Sequence, residues 1–107
     1  PGRLLGLSTH SKAQAQEAIA LSSLLDYFAV GPVFATQTKP DYNPVGLELI
    51  HFVTRMNPPL PWYCIGGITR ANVKEVTQAG GQRVVSVSDI LTAADPAQAT
   101  REILAAL

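Results

Sequence analysis

The chain has 107 residues, 47% of them hydrophobic and 15% charged, with eight Lys and Arg against eight Asp and Glu. That length suits one compact domain spanning 1–107, with enough apolar content to build a core rather than stay disordered. Zero net charge and isolated cations exclude the basic stripe of a nucleic-acid binder, and no apolar run approaches the ~20 residues of a membrane-spanning helix.

The first apolar run, Leu4-Leu5-Gly6-Leu7, predicts a strand that ends at Ser8-Thr9-His10-Ser11. Lys12 to Leu25 is rich in Ala, Gln, Glu and Leu, and Ala15, Ala18, Ile19 and Ser22 keep a helical spacing. Tyr27-Phe28-Ala29-Val30 is a second strand closed by Gly31-Pro32, followed by an irregular stretch from Phe34 to Val45. A second helix is expected from Gly46 to Met56, with Leu47, Ile50, Val53 and Leu49 candidates for its inner face. Asn57-Pro58-Pro59 stops it, because proline lacks the helical donor.

Trp62-Tyr63-Cys64-Ile65 predicts the third strand and Gly66-Gly67 its end. Thr69 is placed to cap a helix from Arg70 to Ala79, which Gly80-Gly81 terminates. Val84 to Val87 predicts the fourth strand, and Ser88-Asp89 opens a short helical turn. Asp95 followed by Pro96 is a cap with proline at the first helical position, so a last amphipathic helix runs toward Leu107. Apolar strands divided by helices imply an α/β class with a parallel sheet. A closed (β/α)8 barrel takes roughly 200 residues or more, so this chain would be half of one. The opening at Pro1, directly before a core-like strand, reads as a segment from the interior of a longer polypeptide. The single Cys64 excludes an internal disulfide and fits a reducing, cytoplasmic setting.

Every polar cluster falls at the C-terminal end of an expected strand, where parallel α/β folds bind ligands. Gly66-Gly67 and Val87-Ser88 each end a strand and open a helix. Main-chain N–H groups there could approach an anion, with no cation between the two turns to assist. Close strand–helix packing accounts for the same glycines. Thr36, Gln37, Thr38 and Lys39 offer hydroxyls, an amide and a point charge to a carboxylate or phosphate; a solvated lysine on a loop fits equally. His10 reads as a cap or packing residue, His51 as surface, Cys64 as core and Asp26 as structural.

The succession Gly6-Leu7-Ser8-Thr9-His10-Ser11, Gly31-Pro32-Val33-Phe34, Thr36-Gln37-Thr38-Lys39, Ile65-Gly66-Gly67-Ile68-Thr69 and Val84-Val85-Ser86-Val87-Ser88 resembles the thiamine-phosphate synthase family. The resemblance covers the whole chain and implies the last four units of a (β/α)8 TIM barrel. It implies a transferase that joins a hydroxymethylpyrimidine diphosphate to a thiazole phosphate and releases pyrophosphate. By the same resemblance, Thr36, Gln37 and Thr38 bind the thiazole substrate, and Gly66, Gly67, Val87 and Ser88 form its phosphate site. Lys39 and Ser8, the catalytic candidates, would contact the pyrimidine's diphosphate. The thiazole tautomerases are similar, but Pro32 and the Thr-Gln-Thr-Lys loop favour the synthase. Family members use Mg2+, and its ligands are not expected in this chain, since Asp41 and Asp89 do not match them. The isolated chain is then expected to be inactive. A non-catalytic thiazole-phosphate-binding module is an alternative, as is a half-barrel that self-associates or pairs with its missing half.

Overall fold

Three side-chain caps and ties set where the elements begin. Ser11 accepts a hydrogen bond from the Gln14 N–H at 3.1 Å and starts α1 (Lys12–Ala20). Asp95 accepts from the Gln98 N–H at 3.1 Å and, with Pro96 behind it, starts α5 (Pro96–Ala106), as the sequence predicts. Asp26 accepts from the Leu5 N–H at 2.6 Å and donates its own N–H to the Leu5 carbonyl, aligning two strands before they pair.

The computed structural model describes residues 3–35 and 46–107. Between the helices run β1 (Gly6–Thr9), β2 (Tyr27–Val30), β3 (Trp62–Ile65) and β4 (Val84–Val85). They form one parallel four-stranded sheet in the order β1-β2-β3-β4. The remaining helices are α2 (Gly46–Met56), α3 (Val73–Gln78) and α4 (Ser88–Leu91). The α/β class and the sequential βα order agree with the sequence. No helix among the described residues is long and apolar enough to cross a membrane.

Strand pairing divides the sheet into two faces. Thr9, Val30, Cys64 and Val84 fall in register on one face, as do Phe28 and Trp62. This face meets Ala15 and Ala18 of α1, Leu49, Ile50 and Val53 of α2, and Val73 and Val76 of α3 in a single buried cluster. The other face carries Ser8, Ala29, Tyr27 and Tyr63, whose rings meet edge to face at 5.6 Å, and the exposed Ile65.

Four boundaries differ from the sequence reading. Pairing begins at Gly6 rather than Leu4, so Ser8 and Thr9 lie within the strand, while Leu4 and Leu5 are exposed. The first helix stops at Ala20, not Leu25. The Leu21 N–H reaches the Ala18 carbonyl, tightening the last turn, and the chain must then bring Leu25 back to the core ahead of β2. Thr69 is not the cap of α3. The chain turns over Thr69 to Asn72 first, and the helix proper starts at Val73. The fourth strand ends at Val85, and beyond it the Ser86 hydroxyl donates to the Ile68 carbonyl at 2.8 Å.

Ile50 is fully buried in the centre of the core cluster. Ile50→Ala should lower unfolding free energy by about 2–5 kcal/mol, read from urea denaturation. Burial also pushes the Cys64 thiol from 9.0 up to about 12. The unfolded chain therefore loses this proton at lower pH than the native one, and stability falls as pH rises from 9.0 toward about 12. Iodoacetamide at pH 8 should label Cys64 only after denaturant is added.

Candidate functional site

Two loops are fitted together by missing Cβ atoms. After β2 the chain runs through Gly31-Pro32-Val33-Phe34, with a cis Gly31–Pro32 peptide, directly over the end of β3. The Val33 N–H donates to the Ile65 carbonyl and the Phe34 N–H to the Gly66 carbonyl, both at 3.0 Å. A Cβ on Gly31 would stand 2.1 Å from the Ile65 oxygen, and one on Gly66 2.5 Å from the Pro32 Cα. Gly66 and Gly67 also have φ of +109° and +65°, which L side chains rarely adopt. The glycines thus make room for the loop after β2 rather than for a helix against a strand, and the turn they make opens onto a cleft.

That cleft has a volume of about 560 Å3 and lies at the C-terminal ends of the strands. Ser8 of β1 and His10 after it line the cleft, with Gly31 and Pro32 from the loop after β2, Gly66 and Gly67 from the turn after β3, and Val87 and Ser88 from the turn after β4. The structure thus brings together Ser8, Gly66, Gly67, Val87 and Ser88, which the sequence named from separate segments. Thr36, Gln37, Thr38 and Lys39, like Asp41, lie outside the described residues.

A network of polar side chains joins the β3 and β4 turns. Asn72 accepts from the Thr69 N–H at 2.8 Å and donates to the Gly67 carbonyl at 2.9 Å, so one amide fixes both ends of the glycine turn. Ser86 ties Ile68 to the following strand. Asp89 Oδ2 accepts from the Arg70 main-chain N–H and from its Nε, both at 2.9 Å. Arg70 Nη1 lies 3.3 Å from Glu102 Oε2. These hydrogen bonds from Arg70 hold the Asp89 carboxyl below the usual carboxylate range. Hydrogen bonds to Asp89 and then Glu102 raise the guanidinium in turn.

One part of the sequence reading changes here, and another is narrowed. A cation does stand between the two turns: Arg70, read only as the first residue of a helix, is joined to Asp89. Nothing in a separation of 19 residues announces that pair. Of the two readings of His10, cap or packing residue, the cap falls to Ser11 and the packing role stands. Its Nδ1 is 2.7 Å from the Gly31 carbonyl oxygen. A carbonyl only accepts, so Nδ1 carries the proton and the imidazole is fixed against the cleft wall. The signal was available in the motif, where His10 follows the strand end directly.

The described residues do not fit a metal centre. Among them no three His, Cys, Asp or Glu converge to hold an ion, and Asp89 is engaged by Arg70 while Asp26 lies at the opposite end of the sheet. Mg2+ takes oxygen ligands in near-octahedral geometry.

Residues 1–90 match the family model described as thiamine monophosphate synthase. The chain belongs to that family. It is 45% identical to the thiamine-phosphate synthase of Arthrobacter sp. (strain FB24), covering 97% of this chain and 53% of that one. Against the thiamine-phosphate synthase of Mycobacterium leprae it is 42% identical, covering 97% and 45%. Among solved structures, the thiamine phosphate pyrophosphorylase of Pyrococcus furiosus superposes with a TM-score of 0.83 at 30% identity, over 99% of this chain and 49% of that one. A 3-hexulose-6-phosphate synthase superposes with a TM-score of 0.69 at 25% identity, over 98% and 50%. The chain therefore spans about half the length of the thiamine-phosphate synthases it matches. Its four βα units correspond to half of a TIM-barrel-like fold.

In this synthase-family half, the glycine turn is the part least able to absorb a side chain. Gly67→Ala should cost about 1–2 kcal/mol from its left-handed backbone alone. Gly66→Ala should cost more, because its new Cβ would stand 2.5 Å from the Pro32 Cα, against 2.9 Å from the Ala35 oxygen at Gly67. Parallel urea titrations of the two variants test the ranking.

Proposed function

We propose that this chain supplies the thiazole-phosphate site of a thiamine-phosphate synthase. The reaction couples a hydroxymethylpyrimidine diphosphate with a thiazole phosphate to give thiamine phosphate and pyrophosphate. One observation carries the reading: the Gly66-Gly67 and Val87-Ser88 turns, from successive strands, line the same cleft and are tied to each other. Family membership and the names of the relatives support the chemistry.

In this reading main-chain N–H groups of the two turns hold the phosphoryl oxygens of the thiazole phosphate, with the Ser88 hydroxyl beside them. The missing Cβ of Gly67 admits the Phe34–Ala35 segment beside the turn, which holds the turn in place at the cleft. The thiazole ring is held by Thr36, Gln37 and Thr38, carried over from the family motif. Its ring nitrogen attacks the pyrimidine's methylene carbon as the bond to the diphosphate oxygen breaks. Lys39 and Ser8 contact the departing pyrophosphate, Lys39 as a cation and Ser8 as a hydroxyl donor. Groups aimed at charge that grows in the transition state contribute most to rate. Ser8 comes from β1, across the cleft from Ser88, so the two phosphorylated substrates would meet over the sheet end. Mg2+ and the rest of the diphosphate pocket belong to the half-barrel outside this chain, and no step here runs through the metal. A cytoplasmic location accords with a reduced Cys64 and small-molecule substrates.

The test is a titration of the chain with thiazole phosphate, followed through backbone amide resonances. Gly66, Gly67, Val87 and Ser88 should shift together and saturate. Thiamine phosphate should form only when the complementary half-barrel is added with Mg2+ and both substrates. Unmoved resonances at all four amides would overturn the proposal. Saturable binding without turnover in the reassembled protein would leave a non-catalytic binding module in its place.

A further inference from the structure

Among the described residues that line the cleft, Asp89 is the acidic one, and it conflicts with an anionic ligand. It lies directly after Ser88, lines the cleft, and its side chain is only 19% exposed. A bare carboxylate there would repel a phosphoryl group in the cleft. Its charge is met from one side: Arg70 reaches Oδ2 through both its N–H and Nε at 2.9 Å, with Nη2 3.4 Å from Oδ1.

Resting on the reading of the cleft as a phosphate site, the geometry points to Arg70 as a positioning residue that neutralises Asp89 and holds the Val87-Ser88 turn against the Gly66-Gly67 turn. Arg70 follows the glycine turn by three residues, and Asp89 follows Val87 by two. The contact therefore fixes the spacing of the two sets of main-chain donors. The guanidinium suits this task because its planar fork serves Asp89 and Glu102 at once, with Glu102 Oε2 at 3.3 Å. A lysine could supply the charge but not both contacts. The main-chain N–H of Arg70 also donates to Asp89, so a side-chain substitution removes the charge while one thread of the connection remains.

A purely structural link and a charge-neutralising one differ in sign. If the pair only braces the turns, loss of either partner loosens the cradle, and both substitutions weaken anion binding. If Arg70 neutralises Asp89, the two substitutions act in opposite directions. Inorganic phosphate is the probe, titrated into the full chain at low salt and followed at the Gly67 and Ser88 amides. Arg70→Gln should weaken binding roughly three- to tenfold, as expected for one uncovered charge at short range. Asp89→Asn keeps an acceptor for Arg70 and should tighten binding by a similar factor. The double variant should return close to the unaltered chain. Raising the salt should shrink both single-variant effects, since ions screen them. Changes in the same direction, or no change in either variant, would overturn the role of Arg70. If the unaltered chain shows no phosphate binding while it remains folded, the cleft reading fails, and this inference fails with it.

Discussion

The candidate site depends on two backbones approaching more closely than side chains allow. Val33 and Phe34 donate their N–H groups to the carbonyls of Ile65 and Gly66, extending strand-like pairing beyond the ends of β2 and β3. That approach is possible only where Gly31 and Gly66 carry no Cβ. The chain then leaves the sheet at Gly67, which lines the cleft, while Ile68 turns back into the core. The same close fit that buries Val33 therefore shapes the floor on which a ligand would rest.

The β3 turn forms only one part of the cleft wall, and the turn after β4 forms another. The link to β4 comes from polar side chains of modest individual worth. An exposed pair such as Arg70 and Asp89 contributes little to stability alone. Together with Ser86 on Ile68 and Asn72 on Gly67 and Thr69, it makes the spacing between turns a property of the network. None of these side chains belongs to the apolar core.

The sequence made much of this legible because the relevant signals are local. Gly-Pro, Gly-Gly and Asp-Pro mark strand ends and caps through backbone chemistry that acts within a few residues. The limits of β2, β3 and α2 follow from such signals. Elements set by distant partners were misread. Leu4 and Leu5 resemble strand residues in composition, but the pairing of Gly6 with Tyr27 decides where β1 starts. Ser86 lies beyond the strand end and bonds a carbonyl 18 residues earlier, which no periodicity encodes. At the site, the residues next to glycine turns were legible. Arg70 and Asn72 were not, because each acts through a tertiary contact. The family motifs placed Ser8, Gly67 and Ser88 in one site, and the fold shows how separate strand ends bring them together.

Adjacent positions in β1 show how one strand serves both core and cleft. Ser8 and Thr9 differ by a methyl group, yet alternation along a strand sends their side chains to opposite faces. Thr9 is completely buried, and its hydroxyl is satisfied by the Ala29 carbonyl at 2.7 Å, so its polarity costs the core nothing unpaired. Ser8 remains exposed at the cleft, where its hydroxyl is available to an incoming oxygen. Exchanging their roles would require slipping β1 by one residue against β2. Such a slip would also carry Gly6 away from the Tyr27 ring, whose Cζ stands 2.2 Å from where a Cβ would be. The glycine that admits the tyrosine ring therefore helps set the register that delivers Ser8 to the site.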